Sequence, residues 1–331
     1  MPAASGPEAP PLTPGPTVDE AAGVSETRPE GRNLKGMDVL VVGATGYVGN
    51  AVERAFAARR HQTVATARSD IARMKLAAQG VETVYADAAR PETLIGPVKA
   101  AEAVVYCVQA TDADPWEVDL KAIRAIARTM AGTENTFVYI SDAWMYGDTE
   151  EVVDETTPIR PPALVEKRAH LERMVLNMVK IGIRGHVVRS GIVYGDGGGI
   201  PAMFVQSARQ RQASTIVGSG NNRWATIARN DLGPLVALVA ERGKPGAVYN
   251  AVDEYSFTVR EIAEAASRGA GAGGAVSLTL PDLLGPFGEC LMLDQRISAD
   301  KARRDLGWKP SAPSIVDDLE RGSYLYAQLA S

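Results

Sequence analysis

The chain has 331 residues, 35 basic against 40 acidic side chains, a net charge of −5 and two cysteines. That length suits one large α/β domain, and a mildly acidic chain with no basic block lacks the electrostatic footprint of a nucleic-acid binder. Cys107 and Cys290 make neither a metal constellation nor a disulfide framework, and no stretch approaches the roughly 18 apolar residues that cross a bilayer, so the expected partner is a small molecule and the expected compartment the cytoplasm.

Residues 1 to 35 are rich in Pro, Ala, Gly, Glu and Thr and lack a basic start leading into an apolar core. They read as a disordered tail rather than a secretion signal. Asp38 to Gly43 is then short, apolar and β-branched and stops at a glycine, which suits a strand buried on both faces. Tyr47 to Arg60 is alanine-rich with helical spacing. Strand-like runs follow at Thr63 to Arg68, Val81 to Ala86, Ala103 to Val108, Phe137 to Ser141 and His186 to Arg189, with helical patterns between them. Such alternation specifies a parallel sheet with right-handed crossovers, the doubly wound α/β class.

Beyond Arg189 the alternation loosens: a Gly-rich loop at Gly195 to Gly199, a polar patch at Gly218 to Trp224, a strand at Ala247 to Asn250, a helix from Thr258, a Gly-rich connector at Gly269 to Gly274, and a helix from Ser298 to Leu306 ending at Gly307. The expected division is a Rossmann domain over 36–195, with 226–255 returning to it, and a substrate-binding region over 196–225 and 256–331.

The turn Gly43-Ala44-Thr45-Gly46-Tyr47-Val48-Gly49 sits between a buried strand and a helix, the context a dinucleotide-binding turn requires. Gly43 permits the tight turn, Gly46 lets the backbone approach a pyrophosphate, and Gly49 lets the helix pack closely, while the helix N-terminus offers free N–H groups to the anion. An NAD site usually places an acid at the end of the second strand, for the ribose 2′-hydroxyl. Here that strand runs into Arg68 and Ser69, a guanidinium beside a hydroxyl, which suits the 2′-phosphate of NADPH better than NADH. Asp70 is the competing candidate, read instead as the cap of the next helix.

With that turn, Asp87, the segment Tyr139-Ile-Ser-Asp-Ala-Trp-Met-Tyr-Gly-Asp148, the run Gly220 to Asp231 and the closing Ser298 to Trp308, the sequence resembles an extended short-chain dehydrogenase/reductase over about Asp38 to Ser323. The resemblance implies a Rossmann domain, a smaller C-terminal substrate region and hydride transfer at a carbonyl or carbinol carbon. It places Asp87 and Ala88 at the adenine, Val108, Gln109 and Ala110 along the cofactor ribose, and Ser190 to Ile192 near the nicotinamide. Members also form dimers through a helix pair, so monomer and homodimer both stand.

The family normally acts through a Ser or Thr and a Tyr four residues before a Lys. None of the ten tyrosines here precedes a Lys at that spacing. Matching Lys167 to the family lysine puts Ala163 at the tyrosine position, and shifting by one pairs Arg168 with Leu164. The hydroxyl position holds Asp142, preceded by Ser141, so Ser141, Asp142 and Lys167 are the candidate catalytic residues. Ser141 stands at the carboxyl edge of the sheet, where strand capping and substrate contact are both open. Lys167 and Arg168 serve equally as a solvated helix face. His170 on the same predicted helix reads as structural, Tyr146 as packing under the site, and Trp144, Met145, Met203, Phe204 and Trp224 as an apolar pocket wall or simply core.

General acid help contributes about 10² to 10⁴ in rate, whereas aligned proximity supplies about 7 to 11 kcal/mol. Loss of the tyrosine is therefore compatible with reduction of an activated ketone, the proton coming from water, from Asp142 raised by burial, or from a substrate phenol. The pattern resembles the angucyclinone ketoreductases of aromatic polyketide antibiotic pathways, which implies an NADPH-dependent ketoreductase acting on an aromatic, polycyclic ketone. Two alternatives stand beside it: a nucleotide-sugar epimerase or dehydratase, and a catalytically silent NADP(H) sensor.

Overall fold

The glycine-punctuated β-branched runs form the centre of the molecule. In the computed structural model, which describes residues 36–109, 114–278 and 284–326, β1 (Asp38–Val42), α1 (Tyr47–Ala58), β2 (Gln62–Ala67), α2 (Asp70–Ala77) and β3 (Glu82–Tyr85) make the first half of the alternation. The second half is α3 (Ile95–Lys99), β4 (Ala103–Tyr106), α4 (Pro115–Met130), β5 (Thr136–Asp142), α5 (Arg168–Leu176) and β6 (Arg184–Ser190). There follow β7 (Ile192–Tyr194), α6 (Ala202–Arg211), β8 (Ser214–Val217), β9 (Thr226–Ala228), α7 (Arg229–Arg242) and β10 (Val248–Ala251). The chain continues through α8 (Val259–Gly269), β11 (Ala275–Leu278), α9 (Gly285–Leu291), α10 (Asp300–Leu306), α11 (Ile315–Arg321) and α12 (Ser323–Tyr326).

Seven strands pair in the order β3-β2-β1-β4-β5-β6-β10, every pair parallel. This is the doubly wound Rossmann sheet. Successive β1 side chains point to opposite faces: Val39 and Val41 pack with Val52 and Phe56 of α1 and Leu235 of α7, and Leu40 and Val42 with Ile123 and Ile126 of α4. Both faces are covered, which is why β1 shows no polar alternation. After β3 the chain returns to the other side of β1 to lay down β4, leaving a crevice between their carboxyl ends where such sheets bind ligands.

A third core forms where the alternation loosens. The small parallel pairs β7–β9 and β8–β11 join α6, α8 and α11 around Ile192, Phe204, Ile216, Trp224, Ile262 and Leu319. Residues from Gly36 onward make one compact unit. Asp231 ties in its C-terminal part: its carboxylate accepts the backbone N–H groups of Ser311 at 3.0 Å and Ala312 at 2.9 Å, and its carbonyl accepts the Trp308 indole N–H. Among the described residues no helix is long and apolar enough to cross a membrane.

Three local readings change. Ser69, not Asp70, caps α2, its Oγ accepting the Ala72 N–H at 3.2 Å, because Ser69 is the last residue with extended backbone and Asp70 already lies in the first turn. β4 stops at Tyr106, two residues before the apolar run ends. The helix expected to carry Lys167 starts at Arg168, with Lys167 as the residue before it.

Candidate active site

The glycine turn is built as its chemistry demands. Gly43 has φ +96°, and a Cβ there would lie 3.0 Å from the Cys107 carbonyl oxygen across the β1–β4 crevice. At Gly49 a Cβ would stand 2.2 Å from the Gly43 carbonyl oxygen, so only glycine allows α1 to approach β1 this closely. Gly46 is different: its φ is −79° and the nearest atom to an added Cβ is 3.3 Å away. The fold hardly requires glycine there, so the exposed backbone of Thr45 and Gly46 borders a cradle that a side chain would fill. No side chain caps the twelve-residue helix α1, and its first-turn N–H groups are left for an anion. These residues fit a dinucleotide pyrophosphate.

The Tyr47 and Val48 side chains serve the fold, leaving their main chain to the turn. Val48 packs on the core. The Tyr47 hydroxyl donates to the Gly195 carbonyl at 2.6 Å, and the Arg229 guanidinium stacks 4.7 Å from its ring while pairing with Asp196 at 2.7 Å. The Gly-rich loop is thereby pinned beside the cofactor turn.

Along the carboxyl edge of the sheet, Arg68 is exposed and makes no ion pair among the described residues, whereas Asp70 is engaged by Arg73 at 3.1 Å. The Ser69 hydroxyl is occupied as the α2 cap. Asp87 receives the Ala89 N–H at 3.0 Å and faces Arg90 at 3.5 Å, with Ala88 buried behind it. Val108 is half-buried and Gln109 exposed just past β4, and Ala110 lies outside the described residues. Ser190 and Ile192 are buried, the Ser190 hydroxyl donating to the Ser141 carbonyl at 3.3 Å.

The candidate chemical centre lies where β5 and β6 end side by side, in a register that pairs Ser141 with Arg189 and Asp142 with Ser190. Ser141 Oγ, Asp142 Oδ1 and Arg189 Nη1 are all buried with no hydrogen-bond partner among the described residues. Such orphans are rare inside proteins and mark a place where a ligand or water completes the set. Burial pushes the Asp142 carboxyl up to about 6, against the pull of the Arg168 guanidinium and with the Glu172 carboxylate adding to the rise. Arg168 Nε stands 3.4 Å from Asp142 Oδ2 and Arg168 Nη1 donates to the Tyr139 hydroxyl at 3.4 Å. Behind them Glu172 holds Arg189 in a fully buried ion pair at 2.6 Å, and Arg189 stacks 4.8 Å from the Tyr146 ring, whose hydroxyl donates to Asn250.

Ser141 and Asp142 are thus brought together, and Lys167 is not with them. Its exposed side chain lies over Trp116 of α4, 5.9 Å from the ring centre. Arg168 makes the contact with the acid instead. The Glu172–Arg189 pair carried no sequence signal, since nothing local relates a helix residue to a strand residue 17 positions on.

A cavity of about 280 Å³ opens between α6, β8, α8 and α9. Met203, Phe204 and Trp224 line it, the last two as stacked rings 5.5 Å apart. Met145 is plain core, and Trp144 packs edge-on to Phe287 of α9 at 6.2 Å. Leu284 and Leu291, absent from the expected pocket wall, close the cavity from the α9 side.

This glycine turn, sheet order and carboxyl-edge site coincide with a sequence match to the NAD dependent epimerase/dehydratase family over residues 39–251. The chain belongs to that family. Its members are NAD-dependent oxidoreductases or lyases. The epimerase/dehydratase-family chain is 27% identical over 304 residues to the uncharacterized protein YLL056C of Saccharomyces cerevisiae, covering 87% of this chain and 99% of that one. It is 29% identical over 311 residues to a 3-diazoavenalumate denitrifying reductase of Streptomyces sp., covering 86% of this chain and 100% of that protein. Similar solved structures include a dTDP-glucose 4,6-dehydratase (DesIV double mutant) from Streptomyces venezuelae with NAD, at TM-score 0.73 and 18% identity over 87% of this chain and 96% of that one. The UDP-glucose 4-epimerase of Thermus thermophilus with NAD superposes at TM-score 0.71 and 18% identity, over 88% and 99%. At such identities these two share the fold.

Proposed function

We propose that this protein is an NADPH-dependent ketoreductase that delivers hydride to a ketone on an aromatic substrate, with Asp142 in place of the family tyrosine as proton donor. The observation that carries the reading is the pair of buried, unpartnered oxygens, Ser141 Oγ and Asp142 Oδ1, at the carboxyl end of β5. The cofactor, with its pyrophosphate at the glycine turn, would supply the hydride from its nicotinamide. Ser141 donates a hydrogen bond to the substrate carbonyl and polarises it. Protonated Asp142 gives its proton to the oxygen as the carbonyl carbon is reduced, and Arg168 steadies the carboxylate left behind. Asp142 then regains a proton from solvent.

The exposed, unpaired Arg68 supports NADPH over NADH, because a guanidinium recognises a phosphate bidentately and Asp70, the rival for a ribose hydroxyl, is held by Arg73. Nucleotide-sugar epimerisation and dehydration begin by oxidising a sugar hydroxyl, whose proton a base must take as hydride leaves the carbon, and the family Tyr-Lys pair that serves as that base is absent. The test is NADPH oxidation against aryl ketones ranging from bicyclic to four-ring angucyclinones. Turnover that disappears in Asp142→Asn supports the reading. NADPH binding without turnover of any ketone would leave the sensor alternative standing.

One observation favours a second reading. A hydride acceptor that loses N₂ takes no proton from the protein, so a diazo-bearing aromatic substrate, of the kind named for the Streptomyces reductase, is served by a site without the family tyrosine. Turnover of an aryl diazonium salt that survives Asp142→Asn separates this reading from the ketone one.

A further inference from the structure

The α6–α9 cavity specifies its occupant by size and charge. At about 280 Å³ it exceeds the roughly 150 Å³ that accepts one benzene ring and falls just short of the 300 to 1,000 Å³ typical of pockets that enclose drug-sized ligands. Its volume therefore suits about one or two aromatic rings. Apolar side chains form most of its wall, the mutually stacked Phe204 and Trp224 rings among them, and the Trp224 indole N–H is already spent on the Leu291 carbonyl at 3.0 Å. Arg211 is the sole charged residue on the wall among the described residues. It sits on the exposed last turn of α6 and makes no ion pair among the described residues.

α9 joins this cavity to the chemical centre. Leu291 lines the cavity, Phe287 packs against Trp144 two residues beyond Asp142, and Cys290 is buried near enough to Asp142 that the carboxylate adds to the burial that raises its thiol. A nucleoside diphosphate carries at least two negative charges, against the one cation on the described wall. A single guanidinium beside an apolar, partly aromatic wall matches an arene bearing one carboxylate, held by the bidentate fork.

We infer that the α6–α9 cavity binds the aromatic part of the substrate as a one- or two-ring arene carboxylate, with the carboxylate on Arg211. The inference rests on the reading of the protein as a reductase of aromatic substrates and narrows it to small ring systems. Calorimetric titration of the full chain with 2-naphthoate, 2-naphthamide and pyrene-1-carboxylate tests it without turnover. The expected result is 2-naphthoate binding about tenfold tighter than the amide, the scale of one charge-assisted contact, with the four-ring acid failing to bind. Arg211→Gln brings the ratio of acid to amide near one, and Gln210→Trp at the exposed mouth abolishes binding of both. Both variants leave NADP⁺ affinity unchanged, which shows that they fold. An acid-to-amide ratio indifferent to Arg211→Gln, pyrene-1-carboxylate bound as well as 2-naphthoate, or no binding of 2-naphthoate overturns the inference. A protein that binds 2-naphthoate yet oxidises no NADPH with any acceptor fails the reductase reading instead.

Discussion

On the proposed reading, Asp142 carries the largest functional consequence of any single side chain. Its carboxyl is raised to about 6 by burial, so the protonated, donating form dominates below that pH and is lost above it. The hydride step with a ketone is expected to fall about tenfold per pH unit above 6, each unit of pH removing a tenfold share of the acid. In Asp142→Asn the rate drops about 10² to 10⁴ and the decline above pH 6 disappears, which single-turnover stopped-flow of NADPH absorbance across pH 5 to 9 reads directly. A flat wild-type profile is the contrary result. At the other end of the site, Arg68→Ser is expected to weaken NADPH about tenfold or more and leave NADH little changed, since one charged hydrogen-bonding group to phosphate contributes about 1.5 to 3 kcal/mol. Equal losses for both cofactors would place the 2′-phosphate elsewhere.

Among the elements, α1 is the one whose placement tolerates least. It packs against both β1 and α7, where a Cβ at Gly233 would come within 2.5 Å of the Ala51 carbonyl, as one at Gly49 would within 2.2 Å of Gly43. Gly49→Ala must push α1 off β1, and overpacking of this kind costs about 1 to 3 kcal/mol. Thermal unfolding is expected to show that loss together with weakened NADP⁺ affinity, because the same shift moves the helix start that faces the pyrophosphate. Gly46→Ala makes the complementary case. An added Cβ would stand 3.3 Å from the Gly43 carbonyl oxygen, a much milder contact than the 2.2 Å at Gly49, so stability falls less than in Gly49→Ala while cofactor binding falls.

For the whole molecule, the pH dependence of stability carries opposing components: the raised carboxyls of Asp142, at about 6, and Asp253, at about 7, favour the native state as pH falls, and His186 opposes them. Burial, with Arg184 adding to it, pushes the imidazole down to about 4, while in the unfolded chain it titrates near 6.5. Between these values His186 is protonated more in the unfolded chain than in the native one, so its own contribution to stability falls as pH drops from 6.5 towards 4 and levels off below. The loss amounts to about 3 kcal/mol at 1.36 kcal/mol per pKa unit. Urea unfolding of His186→Leu at pH 7 and pH 4.5 is expected to show that component removed. An unchanged pH slope would mean that other groups carry it.

The doubly wound sheet was legible in the chain because each buried strand is a short β-branched run ended by glycine or a polar turn, and because the Gly43 to Gly49 spacing states both the turn and the close packing behind it. Those are local properties, fixed by residues within a few positions of each other, and so were the missing tyrosine and the candidate pair Ser141 and Asp142. Which cation meets Asp142 was not local. Lys167 and Arg168 are adjacent and chemically alike, and only the start of α5 at Arg168 turns one guanidinium to the acid and leaves the lysine over Trp116. The Glu172–Arg189 pair, the Tyr47 and Arg229 clamp on the glycine loop, and the cavity closed by α9 arise the same way. They join residues far apart in the chain, and only the packing of helices on both faces of the sheet brings them within reach.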